Sequence, residues 1–324
     1  MKTVLILGAN GRFGQAATQA FAAAGWRVHA QMRRAPAQPL PAGAVALPAA
    51  LADTTTLAAQ AAGASVVVHG INPVYTRWDQ EALPVLHLGQ AVARHLGALF
   101  MLPGNVYNFG PGMPAVLRED TPRDPGTAKG RIRCAMEAAL QSAAAQGQRS
   151  VVVRAGDFFG MGIGSWLDLA IVKPLARGKL VYPGPLDRRH AWAYLPDLAV
   201  AFVAVAARPP ATAFETFHFE GHTVTGRQFI TALDAAAETL GLRPAAGFVT
   251  GGMPWGLIRA GGLVYPLWCE LARMSYLWRV PHALDGSRLA AHVALPTATP
   301  LLSALAQSLI DLGLARAPAR LAHS

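Results

Sequence analysis

The chain has 324 residues, of which 52% are hydrophobic and 14% are charged, and its formal net charge is +10. This composition excludes an intrinsically disordered chain, and the length suits one large α/β domain or one domain with an appended lobe. The basic residues are scattered and form no stripe that alternates with aromatic residues, so we expect no nucleic-acid partner.

The N-terminus and the cysteines bear on the cellular compartment. Residues 1–9 superficially resemble a signal peptide, but the apolar run is too short, and the glycines that follow it fit a strand and a turn better. The two cysteines, Cys134 and Cys269, cannot form a disulfide framework and have no metal-type neighbours. We therefore expect a reduced, cytoplasmic protein.

The first half of the chain alternates short β-branched runs with alanine-rich helical stretches. The predicted strands are residues 3–7, 27–32, 65–69, 98–102 and 150–154. The predicted helices are residues 12–24, 54–62, 79–95 and 127–145, and residues 36–48 are expected to be a proline-rich loop. Continuous apolar strands that alternate with helices predict an α/β fold with a doubly wound parallel sheet of the Rossmann type.

The pattern loosens after Gly156. The later predicted elements are helices at 196–207, 226–240, around 253–278 and 300–312, and a strand at 214–220. We expect a dinucleotide-binding Rossmann domain over residues 1–160. Residues 161–324 are expected to form a mixed segment, in which a smaller, mostly helical C-terminal lobe binds substrate and residues 190–220 return to the Rossmann domain.

The most apolar late stretch, residues 247–278, raises the question of a membrane. It is interrupted by Arg259, Pro266, Glu270 and Arg273, which argues against an integral membrane span and favours an amphipathic helical hairpin. A homodimer face and a peripheral membrane contact are two further interpretations of this hairpin.

The first strand is followed by a glycine-rich turn that opens a helix. Its glycines have the spacing G-x-x-G-x-x-G, which permits a tight turn, close approach of backbone to a pyrophosphate, and close packing of the helix on the sheet. The helix N-terminus supplies N–H groups and a positive dipole end for phosphates. The residues expected to bind the cofactor here are Gly8, Asn10, Gly11, Arg12, Phe13 and Gly14.

The second strand bears on the identity of the cofactor. An NAD(H) site has an acidic residue at the end of this strand to hold the ribose hydroxyls. Residues 27–34 contain no acid but end in Arg33 and Arg34, whose guanidinium groups suit a 2′-phosphate. The sequence therefore favours NADP(H) over NAD(H).

Several segments extend this pattern beyond the glycine turn. They are ASVVVHGINP (64–73), NVYNFGPG (105–112), EDTPRDP (119–125), VVRAGDFFG (152–160) and HAWAYLPDLAVAF (190–202). Together with the turn they resemble the short-chain dehydrogenase/reductase superfamily, in its extended and atypical branches, which include epimerases and dehydratases. The resemblance implies that the first of these segments passes beneath the cofactor, with Gly70 and Asn72 lining its site.

The chain departs from this superfamily at the active site. The resemblance implies a Tyr-x-x-x-Lys pair and a Ser or Thr after the fifth strand. If Glu137 is the acid that follows the lysine by four residues, the lysine position holds Arg133 and the tyrosine position holds Lys129. The serine position falls near Pro103 or Gly104, so the usual triad is absent.

The replacement residues resemble those of another branch. The spacing Lys129-x-x-x-Arg133 is similar to that of isoflavone-reductase-like and NmrA-like proteins, which implies Lys129 as general acid/base and Arg133 beside the cofactor. Lys129 and Arg133 lie near the predicted N-terminus of a helix, where positive charge is unfavourable because it opposes the helix dipole. Their presence there therefore favours a functional role. Tyr107 and Asn105 are candidates for orienting the substrate oxygen, although both residue types also suit a turn.

These residues predict an NADP(H)-dependent oxidoreductase that acts on a small organic substrate. An NAD(P)-dependent sugar epimerase or dehydratase is one alternative, and a non-catalytic NADP(H)-binding sensor or regulator is another. We find no metal-ligand spacing in the sequence. Aromatic residues in the C-terminal lobe favour a hydrophobic substrate if they line the cleft, and they are Trp255, Trp268, Tyr276 and Trp278.

Overall fold

A computed structural model of the chain describes residues 1–36 and 39–316. Its strands, in chain order, are β1 (Thr3–Leu7), β2 (Arg27–Gln31), β3 (Ala44–Leu47), β4 (Val66–His69), β5 (Leu99–Gly104), β6 (Val116–Leu117), β7 (Ser150–Arg154), β8 (Asp157–Phe159), β9 (Lys179–Tyr182), β10 (Arg189–Tyr194), β11 (Phe214–His218), β12 (His222–Thr225), β13 (Val249–Gly252) and β14 (Ala283–Leu284). The helices are α1 (Arg12–Ala23), α2 (Thr54–Gln60), α3 (Trp78–Leu96), α4 (Ala128–Ala144), α5 (Leu195–Ala207), α6 (Gly226–Thr239), α7 (Trp255–Gly261), α8 (Pro266–Met274), α9 (Ser287–His292) and α10 (Leu301–Asp311).

Seven parallel strands form the central sheet, in the order β11-β7-β5-β4-β1-β2-β3. The strand order reverses at β1, as in a doubly wound sheet, and the predicted Rossmann-type architecture is confirmed. Because side chains alternate along a strand, β1 sends Val4 and Ile6 into one apolar core and Leu5 and Leu7 into the other. Because all seven strands are parallel, their carboxyl ends meet at one edge of the sheet, where ligands bind in this architecture.

The prediction of an uninterrupted loop over residues 36–48 was wrong. Residues Ala44–Leu47 form β3, which pairs in parallel with β2 at the edge of the sheet. Val45 on this strand is 50% exposed, so the segment lacks the continuous apolar run that marks the buried strands. The prolines that precede this strand in the sequence also favour the prediction of a loop.

The later part of the chain combines helices with small sheets. Strand β11 joins the central sheet beside β7, while β12, β10 and β8 form a three-stranded sheet of their own. Helices α6 and α10 pack on one another, and their core includes Phe229 and Leu305. The stretch around residues 253–278 forms the expected hairpin, in which α7 packs against α8. Among the described helices, none has both the length and the apolar character needed to cross a membrane.

Candidate functional site

Three glycines shape the turn between β1 and α1. Gly8 has a φ of +73°, a left-handed conformation that residues with a side chain rarely adopt. A Cβ atom on Gly14 would lie 2.2 Å from the Gly8 carbonyl oxygen, so α1 can approach the turn this closely because a glycine is there. None of the described side chains caps α1 at Gly11. The first-turn N–H groups, which include those of Arg12 and Phe13, therefore suit a pyrophosphate.

Two amide side chains hold the end of β2 against this turn. The Gly8 N–H donates to Gln31 Oε1 at 2.9 Å, and Gln31 Nε2 donates to the Ala49 carbonyl at 2.7 Å. Asn10 Nδ2 donates to the Arg34 carbonyl at 2.9 Å. The glycine turn and the segment after β2 are thus fixed relative to one another.

The segment after β2 presents cations and no acid. Met32 is buried, and Arg33 and Arg34 are exposed in the bend that follows it. The backbone of this bend is hydrogen-bonded to the glycine turn through the Arg34 carbonyl, so both arginines belong to the segment that borders the turn. The segment therefore carries positive charge at the place where an NAD(H) site has an acidic residue.

Arg12 makes contacts that were not expected from the sequence. Its guanidinium group donates to the carbonyls of Phe158, Gly160 and Gly164 at 3.2, 3.1 and 2.9 Å. Burial lowers the pKa of Arg12 to about 10, although Asp168 opposes the shift. Three of its five N–H donors therefore hold β8 and the loop after it, and the contact of Arg12 with a cofactor phosphate stays a prediction.

The loop after β4 connects the glycine turn with α4. A Cβ atom on Gly70 would lie 2.9 Å from the Leu7 carbonyl oxygen, so the loop begins in close contact with the end of β1. Asn72 is exposed in this loop. Further along, the Tyr75 carbonyl accepts a short hydrogen bond from Lys129 Nζ. One loop therefore contacts both the expected cofactor turn and the expected catalytic lysine.

Lys129 is buried in the first turn of α4, where it is 4% exposed. Thr127 caps this helix by accepting a hydrogen bond from the Gly130 N–H at 3.1 Å. Lys129 Nζ lies 3.2 Å from Glu270 Oε2 and 4.0 Å from the centroid of the Tyr75 ring. Burial lowers the pKa of Lys129, and Glu270 opposes this effect. A buried ammonium group with a lowered pKa is suited to proton transfer.

Arg133 and two tyrosines complete this region. Arg133 Nη1 donates to the Pro103 carbonyl at 3.2 Å, and the guanidinium carbon lies 4.8 Å from the Trp78 ring centroid. Tyr75 and Tyr107 are both partly buried, and burial raises the pKa of both hydroxyls. Both hydroxyls therefore remain protonated near neutral pH and can donate hydrogen bonds.

Asn105 acts on the turn that carries Tyr107. Its Oδ1 accepts a hydrogen bond from the Tyr107 N–H at 3.1 Å, which is local turn geometry. Asn105 thus orients the backbone of Tyr107, and its contact with a substrate stays a prediction.

The set of side chains gathered here is named the Lys129 cluster, and it comprises Lys129, Arg133, Tyr75, Trp78 and Tyr107.

A second polar pair lies at the junction with the C-terminal lobe. His190 Nε2 and Asp157 Oδ2 are 2.9 Å apart, and the His190 ring stacks on Trp278 with 4.2 Å between ring centroids. Trp278 and Tyr276 are 3% and 5% exposed, so these two aromatic residues pack inside the lobe. Their presence alone is therefore no argument for a hydrophobic substrate.

Three residues of this region were missed in the sequence. Gln31 has a recognisable signal, because it is a polar residue at the end of a buried strand. Glu270 is the lone acid in a long apolar stretch, where it indicates an ionic partner elsewhere in the fold. Tyr75 carries no sequence signal, since its role depends on where the loop after β4 meets α4. Within residues 1–36 and 39–316, no group of three or more His, Cys, Asp or Glu side chains could hold a metal ion.

A comparison of the amino-acid sequence with models of protein families identifies one that matches most of the chain. The profile of the NAD dependent epimerase/dehydratase family matches residues 4–217, which include the glycine turn, the loop after β4 and all of α4. No curated protein sequence gives a significant match to the chain.

Solved structures with the same fold cover nearly the whole chain. The Bordetella bronchiseptica enzyme WbmH in complex with NAD+ is 18% identical, with a TM-score of 0.72 over 96% of this chain and 98% of that chain. The UDP-Glc/GlcNAc 4-epimerase from Campylobacter jejuni is 14% identical, with a TM-score of 0.71 over 96% and 98%. A partial consensus L-threonine 3-dehydrogenase is 18% identical, with a TM-score of 0.73 over 96% and 99%. At these identities the likeness establishes the fold.

Proposed function

The chain belongs to the NAD dependent epimerase/dehydratase family, and we propose that it is an NADP(H)-dependent oxidoreductase that acts on a small organic substrate. Residues 1–160 hold the cofactor and the lobe within residues 161–324 holds the substrate, with residues 190–220 returning to the cofactor domain. The observation that carries this proposal is the loop after β4, because it contacts both the glycine turn and Lys129.

The preference for the phosphorylated cofactor rests on the end of β2. Arg33 and Arg34 lie beside the glycine turn, and no acid is present to hold the ribose hydroxyls. The WbmH structure contains NAD+, so the likeness of fold does not supply this preference.

Titration of NADPH and NADH by tryptophan fluorescence tests the cofactor. We expect NADPH to bind at least about tenfold more tightly, since charge-assisted hydrogen bonds to a phosphate contribute about 1.5–3 kcal/mol. The double variant Arg33→Glu/Arg34→Glu should lose this preference. The exposed pair Arg188→Glu/Arg189→Glu is the matched control and should keep it. Tighter binding of NADH by the wild type would show the argument from the arginines to be wrong.

The Lys129 cluster supports the chemical part of the proposal. A bound nicotinamide supplies or accepts the hydride. Lys129 donates a proton to the substrate oxygen as the ammonium ion, or removes one from it in the reverse direction as the neutral amine. Burial lowers the pKa of Lys129 and so makes exchange between these two forms easier. Tyr107, whose turn is fixed by Asn105, donates a hydrogen bond to the same oxygen. Arg133, held at the end of β5 by the Pro103 carbonyl, binds the cofactor.

Lys129→Ala tests this role. The variant should still bind NADPH, because the glycine turn is intact, while reduction of an identified substrate should fall by about 10²–10⁴-fold. Arg131→Ala is the matched control, since Arg131 is exposed in the same helical turn. If the wild type binds NADPH but oxidises it with no member of a panel of carbonyls and enones, that result would favour the non-catalytic sensor over the oxidoreductase.

Family membership favours a second candidate, an NAD(P)-dependent sugar epimerase or dehydratase. The Campylobacter jejuni neighbour is a UDP-Glc/GlcNAc 4-epimerase. Such a reaction returns the hydride to the same substrate, so it consumes no external cofactor. Incubation with UDP-hexoses and no added NADPH distinguishes the two, because interconversion of epimers would replace the oxidoreductase proposal. The presence of Lys129 at the position of the usual tyrosine weighs against this candidate.

A further inference from the structure

The hairpin of α7 and α8 exposes an unusual concentration of apolar side chains. Leu257, Leu263, Val264, Tyr265 and Leu267 are between 47% and 90% exposed, and all five lie within eleven consecutive residues. We name residues 257–267 the apolar tip. Single exposed apolar residues need no explanation, whereas a contiguous group indicates a surface that another body covers.

The two helices of the hairpin are short and packed on one another. A Cβ atom on Gly261 would lie 2.2 Å from the ring of Trp268, so the indole packs directly against α7. Leu263 and Val264, which are 90% and 75% exposed, lie in the turn that joins the helices. The most exposed apolar side chains therefore occupy a narrow turn and not a broad face.

A narrow turn is a poor surface for a second copy of the chain. A standard protein interface buries roughly 800 Å² per partner and uses about 20–30 residues a side. The apolar tip offers eleven residues, and each copy of the chain carries a net charge of +10. Two such copies repel one another unless a larger and more complementary face is present.

The charged residues around the apolar tip are mainly cationic, which favours an anionic partner. Between residues 249 and 279 the exposed ionic residues are Arg259, Arg273 and Arg279. The one acid in that stretch, Glu270, is turned inward, where its Oε2 lies 3.2 Å from Lys129 Nζ and its Oε1 lies 2.8 Å from Arg273. The hairpin region therefore combines an exposed apolar turn with an excess of positive charge, three exposed arginines against one acid.

We propose that the apolar tip docks the protein on the surface of an anionic lipid bilayer. Leucine and valine side chains of the turn enter the acyl boundary, and the arginines behind them bind lipid phosphates. Tyr265 and Trp268 have the amphipathic rings that favour the level of the headgroups. Because Glu270 of α8 contacts Lys129, this docking surface lies on the same hairpin that covers the Lys129 cluster.

Vesicle flotation with the full chain tests this docking. The wild type should float with vesicles of phosphatidylglycerol and phosphatidylcholine at low salt, and much less with phosphatidylcholine alone. Leu263→Asp/Val264→Asp should lower the partition coefficient by more than about tenfold, since it removes the inserted apolar groups and adds repulsion. Arg259→Glu should weaken binding to the anionic vesicles and make it less sensitive to salt.

Leu302→Asp is the matched control, because Leu302 is 40% exposed on α10, away from the hairpin. It should float like the wild type, and circular dichroism should show both aspartate variants to be folded. The proposal is overturned if the wild type stays in the lower fraction with anionic vesicles. It is also overturned if sedimentation shows a dimer that Leu263→Asp/Val264→Asp dissociates, since a second copy would then cover the tip.

Discussion

Alanine substitutions at two helical glycines distinguish the steric cost of an added Cβ atom from its favourable effect on helix propensity. Gly14 lies in α1 and Gly256 lies in α7. On propensity alone, alanine would stabilise each helix by up to about 1 kcal/mol. The surroundings differ, because a Cβ atom on Gly256 meets nothing within 4 Å, whereas one on Gly14 would lie 2.2 Å from the Gly8 carbonyl oxygen and 2.8 Å from Ala9 Cα.

The cost at Gly14 follows from these distances. Non-bonded heavy atoms pack at about 3.5–4.0 Å, so α1 and the glycine turn would have to separate by about 1 Å. Overpacking in a core costs typically about 1–3 kcal/mol where side chains can adjust. The atoms met here belong to the backbone, so Gly14→Ala should destabilise the protein by about 3 kcal/mol. The same separation disrupts the turn, and NADPH affinity should fall with it.

Urea unfolding and NADPH titration of the two variants measure these effects. Gly256→Ala should unfold at the wild-type urea concentration or slightly above it and should bind NADPH like the wild type. Gly14→Ala should unfold at a clearly lower concentration. Equal stability of Gly14→Ala and the wild type, with unchanged NADPH affinity, would refute the steric account of the glycine turn.

Two arginines and a buried histidine outside the Lys129 cluster contribute to the stability of the fold. Arg12→Gln removes three hydrogen bonds to backbone carbonyls, so the free energy of unfolding in urea should fall by about 2–4 kcal/mol; no change would show that water replaces the arginine. Arg154→Met leaves Glu137, which is 2% exposed, without its 2.6 Å partner and should cost about 3–5 kcal/mol, most of which Glu137→Met in the same chain should restore. Burial lowers the pKa of His69 to about 3, whereas the unfolded chain takes up this proton near pH 6.5. Stability should therefore be lost as the pH falls from 6.5 toward 3, by up to about 1.4 kcal/mol per pH unit for this residue, and His69→Leu should flatten the pH dependence of the urea midpoint.

The sheet was predictable because its strands are defined by local patterns. The segments predicted over residues 3–7 and 150–154 each contain a continuous apolar run, at 4–7 and 151–153, and both are strands with the predicted bounds. β3 was not predictable in this way, because Ala44–Leu47 is short and partly exposed at the edge of the sheet. A strand of that kind forms because β2 offers it unpaired backbone groups, which is a property of the assembled sheet.

The parts of the candidate site that depend on the spacing of residues along the chain were predictable. The parts that depend on contacts between residues far apart in the sequence were not. The glycine spacing and the four-residue separation of Lys129 and Arg133 are visible in the sequence. The pairing of Lys129 with Glu270 joins residues that lie 141 positions apart. Such a pair is set by the position of the α7–α8 hairpin, and no local pattern encodes that position.

The Lys129–Glu270 pair makes the protonation of Lys129 depend on the position of the hairpin. Burial favours the neutral amine, and the carboxylate of Glu270 favours the ammonium ion. A displacement of α8 that carries Glu270 away would remove the stabilising charge, while the contacts with Tyr75 and Trp78 would keep the amine desolvated. The pKa of Lys129 would then fall further. Glu270→Gln imitates this displacement without moving the helix, because it removes the charge and keeps the shape. The variant should therefore shift to lower pH the limb of the pH profile that Lys129 controls, which is the alkaline limb when Lys129 donates a proton and the acid limb when it removes one. Arg273→Gln, which removes the other ionic partner of Glu270, should leave that limb much closer to its wild-type position.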